Sequence, residues 1–268
     1  MITSCLRWFM IAMLVAGGCS SPPAVDPEGI VVQVRQLKMV PFTVVTSSVG
    51  CVGTLIRMER NEQLGDVVER TVFAPVDCLT SATHPTPETF PAARPAAIVK
   101  VRVESTSKRG LTLQLSGKLV DIGSTIGATS DWKYDLEFVD PSVQEIGEVL
   151  AESFIETMKV ECRRKLEDPG NILICKVLMA TGIRYTFTTD KRLSLDASAS
   201  VLKQKLSAEG ADTSVADGSI TVTAPPGQKF MLGYLAWKMS AGAPGSKGQG
   251  GVLSVSETED LKRSVLGR

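Results

Sequence analysis

Four short segments alternate apolar and polar residues almost without error. They fall into two neighbouring pairs, 99–104 with 111–116 and 183–188 with 193–198. In the first pair Val99, Val101 and Val103 alternate with Lys100, Arg102 and Glu104, and Leu111, Leu113 and Leu115 with Thr112, Gln114 and Ser116. In the second, Ile183, Tyr185 and Phe187 alternate with Arg184, Thr186 and Thr188, and Leu193 and Leu195 with Ser194 and Asp196. Side chains on a strand point alternately to opposite faces, so each segment has one oily and one wet side. Two structures satisfy this pattern. One is an antiparallel sheet packed on a core with its other face in water. The other is a membrane β-hairpin, apolar toward lipid and polar toward a lumen.

The same reading predicts further strands over 30–45, 49–56, 67–73, 134–139, 172–178, 220–223 and 229–239. Pro141 opens a helix running to about residue 164, in which Val143, Ile146, Leu150, Phe154 and Met158 recur on one face. Asp168-Pro169-Gly170-Asn171 ends it, and Leu202 and Leu206 suggest a short helix before Gly210. The stretch 83–95, with Pro85, Pro87, Pro91 and Pro95, is a surface connection. Gly117, Gly123 and Gly127 make 117–129 conformationally permissive, either a Gly-rich loop or a segment able to change state.

The two ends differ in kind from this body. Arg7 precedes an apolar run over 8–15, and then Ala16-Gly17-Gly18-Cys19-Ser20-Ser21-Pro22-Pro23. This resembles a bacterial lipoprotein signal with Cys19 as the lipidated residue and Cys5 as the reserve site. The run is about half the ~20 residues a spanning helix needs, and acylation gives membrane affinity without one. Residues 240–251 read as a flexible, protease-sensitive linker in which Lys247 is the only basic residue. Beyond it, Val252, Leu253, Val255, Leu261, Val265 and Leu266 offer a partner surface, or belong to a merely frayed end.

Composition excludes several classes. The 268 residues are 43% hydrophobic, enough to bury a core. The 29 basic and 29 acidic residues cancel, so nucleic acid is not an expected partner. Besides Cys5 and Cys19 there are Cys51, Cys78, Cys162 and Cys175; in an oxidising compartment they pair most simply as Cys51–Cys78 and Cys162–Cys175, and in the cytoplasm they stay thiols. With no CxxC and one histidine, His84, no metal site is expected. The segments 51–56 and 74–78 faintly resemble the disulfide loop of trypsin-like proteases, but Asp77 stands where the catalytic histidine belongs and no Gly-Asp-Ser-Gly follows. Residues 242–247 lack the spacing and flanking elements of a phosphate loop. The expectation is a protein that is not an enzyme, with no catalytic residues and no cofactor.

The order of elements resembles the gasdermins, in particular the short bacterial kind. The likeness is carried by Val31-Val32-Gln33-Val34-Arg35 with Val40-Pro41-Phe42, by Leu64-Gly65-Asp66 leading to Val72-Phe73, and by the glycine-bearing stretch 111–127. It continues through Tyr134-Asp135-Leu136-Glu137-Phe138, the run 171–178 and Pro226-Gly227-Gln228-Lys229-Phe230-Met231-Leu232-Gly233-Tyr234. The resemblance implies an α+β fold, a twisted mixed or antiparallel sheet with flanking helices, convertible to a transmembrane β-barrel in an oligomer. It divides the chain into an N-terminal hydrophobic and lipidation segment, 1–28, a pore-forming domain, 29–239, the linker, 240–251, and a short inhibitory segment, 252–268.

By the same resemblance an activating protease cuts the linker, at Lys247 if it is trypsin-like. The partners are then membrane lipids and further copies of the chain, a monomer when inhibited and a homo-oligomer when active. The membrane-inserting strands carry Val99, Val101, Val103, Leu111, Leu113, Leu115, Ile183, Tyr185, Phe187, Leu193 and Leu195. The implied role is cell death in antiphage defence, with a fatty acyl group such as palmitate on the N-terminal cysteine. Storage in the cytoplasm followed by insertion into the inner membrane is the implied location. The chain departs from the family in having 18 residues before Cys19. Either translation starts downstream, for example at Met13, or the protein is an exported lipoprotein. A competing function is a tethered periplasmic binding or assembly module whose sheets never leave water.

Overall fold

The structure is a computed structural model. It describes residues 34–35, 37–48, 52–62, 66–80, 89–96, 101–104, 112–115, 118–121, 133–187, 200, 203–204, 207, 211–216, 218–239, 250–252 and 255–267. Two open sheets and flanking helices form an α+β fold, as expected. Sheet one takes β1 (Val40–Ser48), β2 (Leu55–Asn61), β3 (Asp66–Phe73), β4 (Arg94–Pro95), β6 (Thr112–Leu115), β7 (Lys118–Asp121), β9 (Ser142–Glu145), β10 (Asn171–Ala180), β14 (Lys229–Met239) and β15 (Gly250–Val252). Its main path runs β3-β2-β10-β14-β1-β6-β7, and its one parallel pairing among the described strands joins β1 and β6. Sheet two is antiparallel, ordered β12 (Asp212–Ala216), β13 (Ser219–Thr223), β11 (Gly182–Phe187), β8 (Lys133–Val139) and β5 (Val101–Glu104). Among the described residues the longer helices are α1 (Glu148–Thr157), α2 (Val160–Leu166) and α3 (Val255–Leu266).

Strand β10 is nearly continuous hydrophobic sequence, and all of its residues but Lys176 are buried, as a central strand covered on both faces requires. It turns from sheet one into β11 of sheet two at Thr181. There Thr181 N–H and Oγ1 both donate to the Val139 carbonyl, at 3.0 and 3.1 Å. A side chain at the next residue has no room, since a Cβ on Gly182 would lie 2.9 Å from the Val222 carbonyl oxygen. The corner leaves two cores. Leu136, Phe138, Ile183, Tyr185, Ile220 and Val222 of sheet two pack with Leu178, Ala180, Phe230 and Leu232 of sheet one. The second core joins the rest of sheet one to the helices through Phe154, Met158, Leu166, Ile172, Ile174 and Tyr234.

Several expected elements differ. The chain around Val34 and Arg35 is a helical turn, not strand, and β1 begins only at Val40 after Lys38, whose φ is 55°. The single helix expected over 141–164 is three elements. Its first residues form β9, in which Val143 pairs with Leu178, and α1 and α2 are separated at Met158 and Lys159, both extended in ψ. Leu79 forms a bridge to Met158 at this break. The helix expected around Leu202 is partly described, with residues 200, 203, 204 and 207 helical.

The cystine also differs from expectation. Cys78 bonds to Cys162, with Cα atoms 5.6 Å apart, and Cys175 is a free, buried thiol. The pairing by nearest sequence neighbours fails because β10 carries Cys175 into the sheet, while α2 turns Cys162 toward the 3-10 turn Pro75–Cys78. Burial pushes the Cys175 thiol up to about 12, partly opposed by a backbone hydrogen bond and assisted by Glu145.

Candidate functional site: the docked C-terminal segment and the alternating strands

Past the linker the chain returns to sheet one. Strand β15 runs antiparallel to the end of β14, with Val252 opposite Trp237, Gly251 opposite Lys238 and Gly250 opposite Met239. The last two linker residues are therefore strand. Helix α3 then lies against β1, β2 and β3. Its inward residues, Thr258, Leu261, Lys262 and Val265, follow the 3.6-residue period, whereas Glu257, Asp260, Arg263 and Ser264 face solvent. Leu261 and Val265, two of the partner-surface residues read from the sequence, pack on the second core, and Thr258 is 1% exposed.

The inward lysine meets a socket made wholly by the body of the protein. Lys262 Nζ forms an ion pair with Glu69 of β3, donates to the Pro41 carbonyl of β1 at 3.0 Å, and stands 5.8 Å from the ring centroid of Tyr234 on β14. The Tyr234 hydroxyl donates to Glu69 Oε1 at 3.4 Å. The Glu69 side chain is only 3% exposed and that of Lys262 16%. Burial holds the Tyr234 phenol well above its ordinary pKa, and the charge and hydrogen bond of Glu69 add to this. Three strands thus meet the tail at one ammonium. Nearer the start of the helix, Arg35 pairs with Glu259 at 2.6 Å on the surface, where such a pair contributes little.

The buried pair was findable in the sequence but was missed. Glu69 shares the strand face of buried Val67, a poor place for an unpaired carboxylate, and Lys262 interrupts the apolar Leu261–Val265 row. Neither position announces its partner, since they stand 193 positions apart.

In this state the first alternating pair is not a hairpin, and 193–198 of the second pair lies outside the described residues. β5, with Val101 and Val103, does not pair with β6, which carries Leu113 and Leu115; it lies on β8, whereas β6 joins β1 and β7. β11 pairs with the opposite edge of β8. The positions Val101, Leu136 and Tyr185 consequently form one cross-strand row, and Val103, Tyr134 and Phe187 the next. Ile183 is fully buried and Tyr185 is 4% exposed, both in the first core. The polar face of β11 is tied across the sheet by Arg184, which donates to Glu137 and to Thr221 Oγ1, both at 3.3 Å. Cys5, Cys19, Val99, Leu111, Leu193, Leu195 and Lys247 lie outside the described residues.

Among the described residues no helix is long and apolar enough to cross a membrane, which says nothing of strands. No protein-family model matches the sequence, and no curated protein matches it. The fold is similar to that of a bacterial gasdermin from Bradyrhizobium tropiciagri, over 85% of this chain and 90% of that one, with a TM-score of 0.44 and 13% sequence identity.

Proposed function

We propose that this chain is a tail-inhibited, pore-forming protein of the gasdermin kind. The observation that carries the reading is the docking of β15 and α3 on sheet one, with Lys262 seated on Glu69, because a short terminal segment joined to the body through one linker is separable by a single cut. Cleavage within 240–249, with Lys247 as the first candidate, turns the segment into a separate peptide and ends its intramolecular advantage in binding. Many released copies then assemble. The strands carrying Val101, Leu113, Ile183, Tyr185 and Phe187 leave their present partners and re-pair as membrane hairpins, apolar side to lipid. Closure into a barrel satisfies every strand hydrogen bond, which an open sheet in lipid cannot do.

A fatty acyl group on Cys19, or on Cys5, concentrates the protein at its target membrane. The outcome is permeabilisation of the bacterial inner membrane and cell death, which in the context of the sequence resemblance serves defence against phage. No catalytic group or cofactor enters this scheme. The test is viability of bacteria expressing the full chain beside bacteria expressing residues 1–247. Loss of viability and of membrane potential with the shorter chain alone is expected. Equal growth with both, the shorter chain being folded and membrane-bound, refutes the proposal.

A further inference from the structure

The Cys78–Cys162 bond spans 84 residues of sequence, and its two ends are 1% and 2% exposed. The surroundings hold these ends together independently of the sulfurs. Lys159 N–H donates to the Cys78 carbonyl at 2.9 Å, Lys159 Nζ to the Asp77 carbonyl at 3.0 Å, and Thr80 Oγ1 to the Thr157 carbonyl, while Leu79 bridges Met158. The 3-10 turn after β3 is therefore fastened to the junction of α1 and α2 by a built contact, within which the Cα separation of 5.6 Å suits a disulfide. Cys175, buried and protonated, is a poor competitor for exchange with this pair.

From this built pair, together with the lipoprotein-like residues 7–23, we infer that the protein matures and is stored in an oxidising compartment outside the cytoplasm, with Cys78–Cys162 as a permanent structural bond. This replaces the cytoplasmic storage suggested by family resemblance. The bond forms by exchange with an oxidant of the disulfide class. The thiols of Cys78 and Cys162 give up two protons and two electrons, and the oxidant's sulfur–sulfur bond breaks into two thiols as the new one closes. Two consequences follow. The protease that cuts 240–249 acts from outside the cytoplasm, and the target membrane is approached from its outer face. The bond fastens α2 to the end of β3, at the opposite side of sheet one from β6 and away from β5 and β11 of sheet two, so that side stays folded while those strands re-pair.

The test is thiol labelling of the full chain taken directly from bacteria. Cells are quenched in acid, the protein is denatured, and free thiols are tagged with a mass-adding maleimide with and without prior reduction. Reduction is expected to add two more tags to the full chain than to the Cys78→Ser, Cys162→Ser double variant. Peptide mapping of the unsubstituted chain, which needs no variant to fold, is expected to recover the Cys78–Cys162 cross-linked peptide. A chain starting at Ser20, retained in the cytoplasm, is expected to carry both thiols free. Tagging of Cys78 and Cys162 in the full chain without reduction overturns the inference. So does an equally complete bond in the Ser20 chain, which would sever the bond from the compartment. Labelling does not depend on pore formation, so its failure and the absence of leakage are separate results.

Discussion

Replacing Lys262 by Met removes the ammonium and keeps the length and apolar stem of the side chain. It leaves the Glu69 carboxylate, whose side chain is 3% exposed, without the ammonium while the Tyr234 hydroxyl still donates to it. Removing one partner of a buried pair costs about 3–5 kcal/mol, mostly as the penalty of the stranded charge. At about 1.4 kcal/mol per factor of ten, this raises the fraction of molecules with the tail undocked by roughly 10²- to 10³·⁵-fold. Hydrogen exchange of α3 amides reads this opening directly, and dye leakage by the uncleaved chain reads its consequence. The double variant Lys262→Met, Glu69→Gln strands no charge and is expected to recover most of the loss, giving a coupling that a double-mutant cycle measures. Unchanged protection of α3 in the single variant, or no recovery in the double, refutes the role given to this pair.

Val101→Asp and Phe187→Asp place charge on the expected lipid face at a cost of ~2–4 kcal/mol near the bilayer midplane, so both are expected to abolish leakage by the cleaved chain; normal leakage from both removes the barrel. Breaking the disulfide by Cys78→Ser is expected to lower stability by about 4.6 kcal/mol from the entropy of the 84-residue loop, and an unchanged denaturation midpoint contradicts this. Stability is also expected to fall from about pH 9 upward, because Cys175 and Tyr234 keep their protons when folded and lose them when unfolded. The loss is up to about 1.4 kcal/mol per pH unit per group, and a flat midpoint between pH 9 and 11 would deny that burial. Cys19→Ala is expected to reduce membrane association in fractionated cells, and unchanged association transfers the acyl group to Cys5 or removes it.

Local pattern revealed strands more readily than their partners. The alternation over 99–104, 111–116 and 183–188 correctly marks β5, β6 and β11, because period-two patterning reports burial of one face. It carries nothing about which strand lies alongside: in this state β5 and β11 share β8 as a neighbour, although neither is next to it in sequence. Helical spacing failed in the same way over 141–164. Val143 and Ile146 stand three apart, yet Val143 belongs to a strand fixed by β10, and the break at Met158 is held by contacts with residues 77–80. The socket around Lys262 gathers groups from three strands and the tail, so each charged residue was visible and their meeting was not.

In the proposed mechanism, removal of the tail is what makes this protein act on a membrane. Dye release from liposomes of bacterial lipid, measured for the intact chain and for the chain cut in the linker near Lys247, tests that directly. Release by the cut chain alone is the predicted result. Equal silence from both, with the cut chain still folded and bound to the liposomes, contradicts it.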